Sequence, residues 1–207
     1  MNRGFILGVI AMAAIVVASN ILVQFLLGDW LTWGAFTYPF AFLVTDLMNR
    51  RFGAAQARKV VFTGFVVGVI CSLVGTQIML EFGPAVSLRI ALGSGTAFLA
   101  AQLTDVLVFD RLRKGRWWRA PLVSSLIGSS LDTALFFSIA FAGAFIFLDP
   151  SQPNGWAREG VAMFGIGPEA PLWMSLALAD FAVKMSLALV ALGPYRLVIS
   201  RFTPTPA

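Results

Sequence analysis

Residues 5–27 read FILGVIAMAAIVVASNILVQFLL, an unbroken stretch without a single charge. A helix needs about 20 apolar residues to cross the hydrocarbon core of a bilayer, so this run sets the class of the whole chain. Arg3 ahead of it and the triplet Ala11-Met12-Ala13 resemble a secretory leader with its cleavage site. The apolar run continues far past that triplet, however, and cleavage would fall in mid-helix. It is read as a first membrane span.

Working outward, five more apolar runs follow at 32–49, 59–80, 85–109, 120–148 and 171–199. The expectation is an all-α integral membrane protein, a bundle of about six transmembrane helices forming one transmembrane domain over residues 1–207. Composition agrees: 58% of residues are hydrophobic and 12% charged, against about 25% charged in soluble domains. The second run is short and holds Pro39, and the fourth holds Arg89, Gly93 and Gly95. Such interruptions are tolerated in lipid where protein or a wet cavity satisfies the freed backbone groups.

Charge sets the orientation. Arg50, Arg51, Arg58 and Lys59 fill one connection, and Arg111, Arg113, Lys114, Arg116 and Arg119 dominate another. Asp29, Glu81, Asp149, Glu159 and Glu169 lie on the other side, with Arg158. With six spans, both basic loops and both termini share a side, which the positive-inside rule places in the cytoplasm. The expected location is the inner (plasma) membrane, crossed several times. Topology accounts for the net charge of +5, so the basic loops face lipid headgroups, and nucleic acid is not expected as a partner. Trp30, Trp33, Trp117, Trp118 and Trp173 near predicted span ends suit an aromatic belt.

Several chemistries drop out. Histidine is absent and Cys71 is the lone cysteine, which removes zinc sites of the usual kind, serine–histidine catalysis and an intrachain disulfide. No glycine-rich stretch ends in Gly-Lys-Ser or Gly-Lys-Thr, so the chain holds no P-loop. No metal or cofactor is expected. An aspartyl intramembrane protease needs two facing carboxylates; Asp46 and Asp105 could supply them, but the glycine pattern of that class is missing.

Ionisable groups inside a span cost about 2.5–3.5 kcal/mol each on insertion scales, so they face the bundle or a cavity. Here they are Asp46, Arg89, Asp105, Asp132, Asp180 and Lys184, joined by the amides Asn20, Gln24, Gln77 and Gln102. Asp180 and Lys184 stand one helical turn apart and can neutralise one another, for packing or for function alike. Asp46 and Asp105 lie near the basic side, within reach of Arg50, Arg51 or Arg111, which fits a structural or gating role. They also sit in two similar stretches, PFAFLVTDLMNRRFG from Pro39 and AFLAAQLTDVLVFDRLR from Ala97, each with Thr-Asp near the basic end of a span. Both spans run the same way, the arrangement of a parallel repeat.

Asp132 falls near mid-bilayer among Ser124, Ser125, Gly128, Ser129, Ser130 and Thr133, with no basic residue one turn away. It either meets Arg89 or Lys184 from another helix or awaits a ligand's donor, and the expectation favours the ligand. Asn20 and Gln24, one turn apart on the first span, bond to another helix or to a solute. The Gly and Ser faces also suit association into a homodimer.

The chain resembles the queuosine precursor transporter family of vitamin-uptake-transporter-like membrane proteins. The resemblance runs from about Ser19 to Tyr195. It is carried by SNILVQ from Ser19, TWGAFTYPFAFLVTDL from Thr32, Arg89, AQLTDVLVFDRLR from Ala101, Trp117-Trp118, APLVSSLIGSSLDTALFFSIAF from Ala120 and ALADFAVK from Ala177. It departs mainly in the outer loops, such as 149–171. The resemblance implies a six-span importer of 7-cyano- or 7-aminomethyl-7-deazaguanine for making the tRNA nucleoside queuosine. A carboxylate such as Asp132 would accept the paired donors of the purine-like edge, with Asn20, Gln24 and Gln102 serving the remaining polar atoms and Phe36 among the phenylalanines stacking on the ring. Asp46, Asp105, Arg89, Asp180 and Lys184 would act in coupling or gating. Three arrangements are carried forward: a secondary importer working by alternating access, a substrate-binding membrane component driven by a separate ATPase module, and, third, an intramembrane enzyme.

Overall fold

The computed structural model describes residues 2–81, 83–150 and 154–201. Seven α-helices run in the order α1 (Arg3–Leu22), α2 (Gly34–Thr37), α3 (Phe40–Phe52), α4 (Ala54–Gln77), α5 (Leu88–Leu112), α6 (Arg119–Phe141) and α7 (Leu172–Ser200). Between them lie three antiparallel two-stranded hairpins: β1 (Leu26–Leu27) with β2 (Leu31–Thr32), β3 (Met79–Leu80) with β4 (Gly83–Pro84), and β5 (Gly160–Ala162) with β6 (Glu169–Pro171). All of the hairpins lie at one end of the bundle. The ends of α3 and α5 that bear Arg50, Arg51, Arg111 and Arg113 lie at the other, called the basic end below.

α1, α4, α5, α6 and α7 are each long and apolar enough to cross a bilayer. Their outward faces are apolar and uncovered: Leu7 is 65% exposed, Leu73 61% and Val190 68%. Inside lie Thr45, Asp46, Asn49, Arg89, Gln102 and Asp105, each 2% exposed or less. Apolar groups outside and charges inside is the distribution of a chain dissolved in lipid. This is a helical, multi-pass membrane protein.

The expected second span, 32–49, is where structure and expectation part. Instead of one helix the segment forms strand β2, the single turn α2, a break at Tyr38-Pro39, and α3. Pro39 has no N–H to give back to the preceding turn, so α2 stops there and a new helix starts. α3 alone has 13 residues, about 20 Å at 1.5 Å per residue, short of the ~30 Å hydrocarbon core.

Two other spans end earlier than expected. α1 stops at Leu22 because 26–32 turns back on itself through Gly28, whose φ is +65°. α6 stops at Phe141, after which Ala142 is extended and residues 143–148 form 3-10 turns.

The main apolar core joins Met12 and Val16 of α1, Met48 of α3, Val60 and Val61 of α4, and Phe98 and Val106 of α5. α5 packs most extensively against α6. A smaller cluster of Phe109, Ala120 and Tyr195 ties α5, α6 and α7 at the basic end. α3 meets α4 there through Gly53, whose φ of +84° is a conformation that glycine adopts at little cost.

Candidate functional site

α6 and α7 carry the polar groups that converge at the middle of the bundle. Lys184 Nζ donates to Asp132 Oδ2 at 2.7 Å and to Thr133 Oγ1 at 3.2 Å, and it is bonded to Asp180 Oδ2 as well. Thr133 Oγ1 donates to the same Asp180 oxygen at 3.1 Å. Tyr38, at the α2–α3 break, donates its hydroxyl to Asp132 Oδ1 at 3.3 Å, and its ring centroid lies 5.6 Å from the lysine nitrogen. One cation thus stands between two carboxylates, with side-chain exposures of 4% for Lys184, 5% for Asp132 and 15% for Asp180.

This group borders a cavity of about 340 Å³ that extends toward the hairpin end. Asn20 and Gln24 line it from α1, Trp30 and Thr32 from the first hairpin, Phe136, Phe137 and Phe141 from α6, and Trp156 from the outer loop. Its walls combine aromatic and aliphatic side chains with polar ones, among them Asp132, Asp180 and Lys184, and small-molecule sites likewise join apolar walls to placed polar groups. Asn20 Nδ2 is spent on its own helix, on Val16 O at 2.9 Å, while Gln24 Nε2 reaches Ala85 O at 3.3 Å.

Below the cavity, toward the basic end, the helices close. A space of about 20 Å³ remains among Asp46, Ser125, Ser129, Lys184 and Tyr195. Arg50 then bridges three helices: its Nε donates to Tyr195 Oη at 2.9 Å, it bonds the carbonyl of Arg113, and it lies 5.2 Å from the Phe109 ring.

The expected residues sort by location. Asp132, Asn20 and Gln24 border the large cavity, as do Asp180 and Lys184, and the one-turn spacing does pair the last two. Asp132 meets Lys184 from another helix, the alternative that the ligand reading had set aside. Gln102 and Phe36 are not among the lining residues. Gln102 lies wholly buried between α5 and α3, accepting from Thr45 Oγ1 at 2.6 Å. Phe36 packs near Trp33, with ring centroids 6.2 Å apart. Arg89 is far from Asp132: its Nε donates to Ile139 O at 2.5 Å and it bonds Ala142 O, closing the carbonyl end of α6. Arginine does this well because its planar fork reaches two acceptors at once. Asp46 on α3 and Asp105 on α5 lie between two bonds that join those helices, Thr45 to Gln102 and Asn49 to the Val106 carbonyl, and Asp46 Oδ1 accepts from Ser124 Oγ.

A family model described as "Putative vitamin uptake transporter" matches residues 32–198. The "Queuosine precursor transporter" of Escherichia coli (strain K12) is 36% identical over 195 residues, 87% of this chain and 79% of that protein. This chain belongs to the queuosine precursor transporter family. Other members agree: the "Probable queuosine precursor transporter" of Haemophilus influenzae is 42% identical over 141 residues, 62% of this chain and 58% of that protein. The one of Bacillus subtilis is 26% identical over 198 residues, covering 86% and 76%. No solved structure gives a significant match. Membership of this family makes the chain a membrane transporter.

Sequence reasoning missed Tyr38. A signal was present, since the chain has two tyrosines against 19 phenylalanines. Both tyrosines use their hydroxyls inside the bundle, Tyr38 on Asp132 and Tyr195 on Arg50.

Proposed function

We propose that this chain imports 7-deazaguanine precursors of queuosine, the 7-cyano or the 7-aminomethyl compound, across the inner membrane. The observation that carries the reading is the cavity ending on Lys184, Asp132 and Asp180 and closed beyond them by Arg50 and Tyr195. Its size falls in the range of about 300–1,000 Å³ for small-molecule sites.

The chemistry of the walls suits the substrate. A deazaguanine is flat, so Phe136, Phe137 and Trp30 offer faces to stack on. Its ring N–H and amino group are donors, matched by a carboxylate. Asp132 has both oxygens engaged, by Lys184 and by Tyr38, whereas the bonds of Asp180 fall on Oδ2. Asp180 Oδ1 is thus the readier acceptor, and Asp132 serves after Tyr38 turns away. Asn20 and Gln24 supply the remaining polar contacts.

In this reading α2 and α3 together make a broken sixth crossing, and the basic end faces the cytoplasm. The state described is open outward and latched inward. Half of the bundle then rocks against the other to expose the site to the cytoplasm.

The test is uptake of labelled precursor into proteoliposomes that hold only this chain, beside Asp132→Asn and Asp180→Asn. Uptake by the wild type, lost in the variants while they remain folded, supports the carrier. Binding without uptake favours a binding component that needs an ATPase module. Failure to bind either precursor overturns the substrate.

A further inference from the structure

Away from the large cavity, two carboxyl groups come together deep between α3, α5 and α6. Asp46 on α3 is 2% exposed and Asp105 on α5 is 0% exposed. Asp46 Oδ1 accepts from Ser124 Oγ of α6 at 3.3 Å. Both Asp105 oxygens are buried without a hydrogen-bond donor among the described residues, and two bonds from α3 to α5 on either side of the acids, Thr45 to Gln102 and Asn49 to the carbonyl of Val106, hold Asp105 beside Asp46.

The surroundings offer little to neutralise two charges. On α3, Arg50 is one turn from Asp46 and its charge acts on that acid, but its Nε and Nη1 are bonded to Tyr195 and the carbonyl of Arg113, and its Nη2 bonds neither acid. α4 meets this region with Ala57, Val60 and Val61. α6 brings Ser124, and α7 brings Tyr195 and, across the 20 Å³ space, Lys184, already bonded to Asp132 and Asp180. Two ionised carboxylates in contact inside a membrane would repel each other with almost no screening and without the solvation that each has lost. One proton between them turns the repulsion into a charge-assisted O–H···O⁻ bond and gives the bare oxygens of Asp105 a partner.

We propose that Asp46 and Asp105 form a proton-binding pair that couples uptake to the proton gradient, an inference resting on the transport reading above. Binding forms one O–H bond on a carboxyl oxygen of the pair, with the proton taken from water on one side. Release returns it to water on the other side. The space beside Asp46 has room for about one water, enough for a proton relay and too small for a peptide, so the pair carries protons rather than cutting chains. Lys184 borders this space and the substrate cavity alike. A charge change at the pair is therefore felt at the lysine that holds Asp132 and Asp180, and protonation and substrate binding share one hub.

The experiment has two arms on the purified full chain. Infrared difference spectra across a pH series read the carbonyl stretch of a buried protonated carboxyl. The band is expected in the wild type and lost in Asp105→Asn and in Asp46→Asn. Its absence from the wild type, or its persistence in both variants, overturns the pair. In proteoliposomes, accumulation of labelled deazaguanine precursor is expected to follow an imposed pH gradient. Asp105→Asn, which mimics the protonated form, should bind precursor yet lose gradient-driven accumulation. Accumulation by the wild type that ignores the pH gradient, or follows sodium instead, overturns the coupling. A wild type that shows the band but neither binds nor accumulates precursor keeps the pair and overturns the transport reading.

Discussion

Lys184 and Asp132 lie 52 residues apart in the chain, and the lysine nitrogen sits 2.7 Å from the carboxylate. With Asp180 one turn before it on α7, Lys184 is the one cation that balances two buried acids. Removing one member of such a group leaves an uncompensated charge and costs about 3–5 kcal/mol. Lys184→Met is therefore expected to lower the thermal midpoint of the detergent-solubilised protein markedly. The triple variant Lys184→Met, Asp132→Asn, Asp180→Asn should recover much of the loss, while binding no substrate. A triple variant less stable than Lys184→Met would contradict the charge-balance argument.

Arg89 holds the carbonyls of Ile139 and Ala142 at the end of α6. Bonds from a charged donor are worth about 1.5–3 kcal/mol each, and lysine cannot span two acceptors with one fork. Arg89→Lys should thus destabilise nearly as much as Arg89→Met. A Lys variant with wild-type melting would show that charge alone suffices there.

At Gly34 a Cβ would stand 2.9 Å from both Cα and N of Val23. These are backbone atoms and cannot swing aside, so Gly34→Ala must push α2 off the end of α1. Val23, Gly34 and Tyr38 all border the large cavity. The expected outcome is weaker precursor binding by titration calorimetry, with a smaller change in melting temperature than Lys184→Met produces.

The bond from Arg50 to Tyr195 Oη shuts the basic end. Losing a bond to a charged donor, about 1.5–3 kcal/mol, amounts to about tenfold or more in an opening equilibrium. In a background with Cys71→Ser, a cysteine placed at Ser125 beside the small space serves as reporter. Tyr195→Phe should raise its labelling by a membrane-impermeant thiol reagent from the basic side by about that factor. Unchanged labelling would mean that the latch lies elsewhere.

The membrane class was legible because it rests on sums over long windows: twenty-odd apolar residues read as a span whatever their partners. The break at Tyr38-Pro39 was half legible. Pro39 announces an interruption, but the hairpin of 26–32 that shortens α1 depends on the tight turn at Gly28, which window hydropathy does not register. Local pairing was readable at Asp180 and Lys184 because one helix fixes both. Cross-helix pairing was not. The spacing of Asp132 and Arg89 along the chain carries no record of which faces two helices present, so Arg89 could be imagined beside Asp132 when it closes the end of α6 instead. The partner of Gln102 was hidden for the same reason: its place along α5 carries no record of the Thr45 that it meets on α3.

α6 is fastened near both ends. Ser124 reaches Asp46 on α3, and Asn154 Nδ2 donates to Ala140 O at 2.9 Å where Arg89 also grips the carbonyls. Asp132 lies midway, about 12 Å from each fastening at 1.5 Å per residue. A rod tilting about its midpoint sweeps its tips through wide arcs while the midpoint scarcely travels. The carboxylate at that fulcrum can keep its grip on Lys184 while the tip at the hairpin end drags the loop at Asn154 and the tip at the basic end tugs on Asp46.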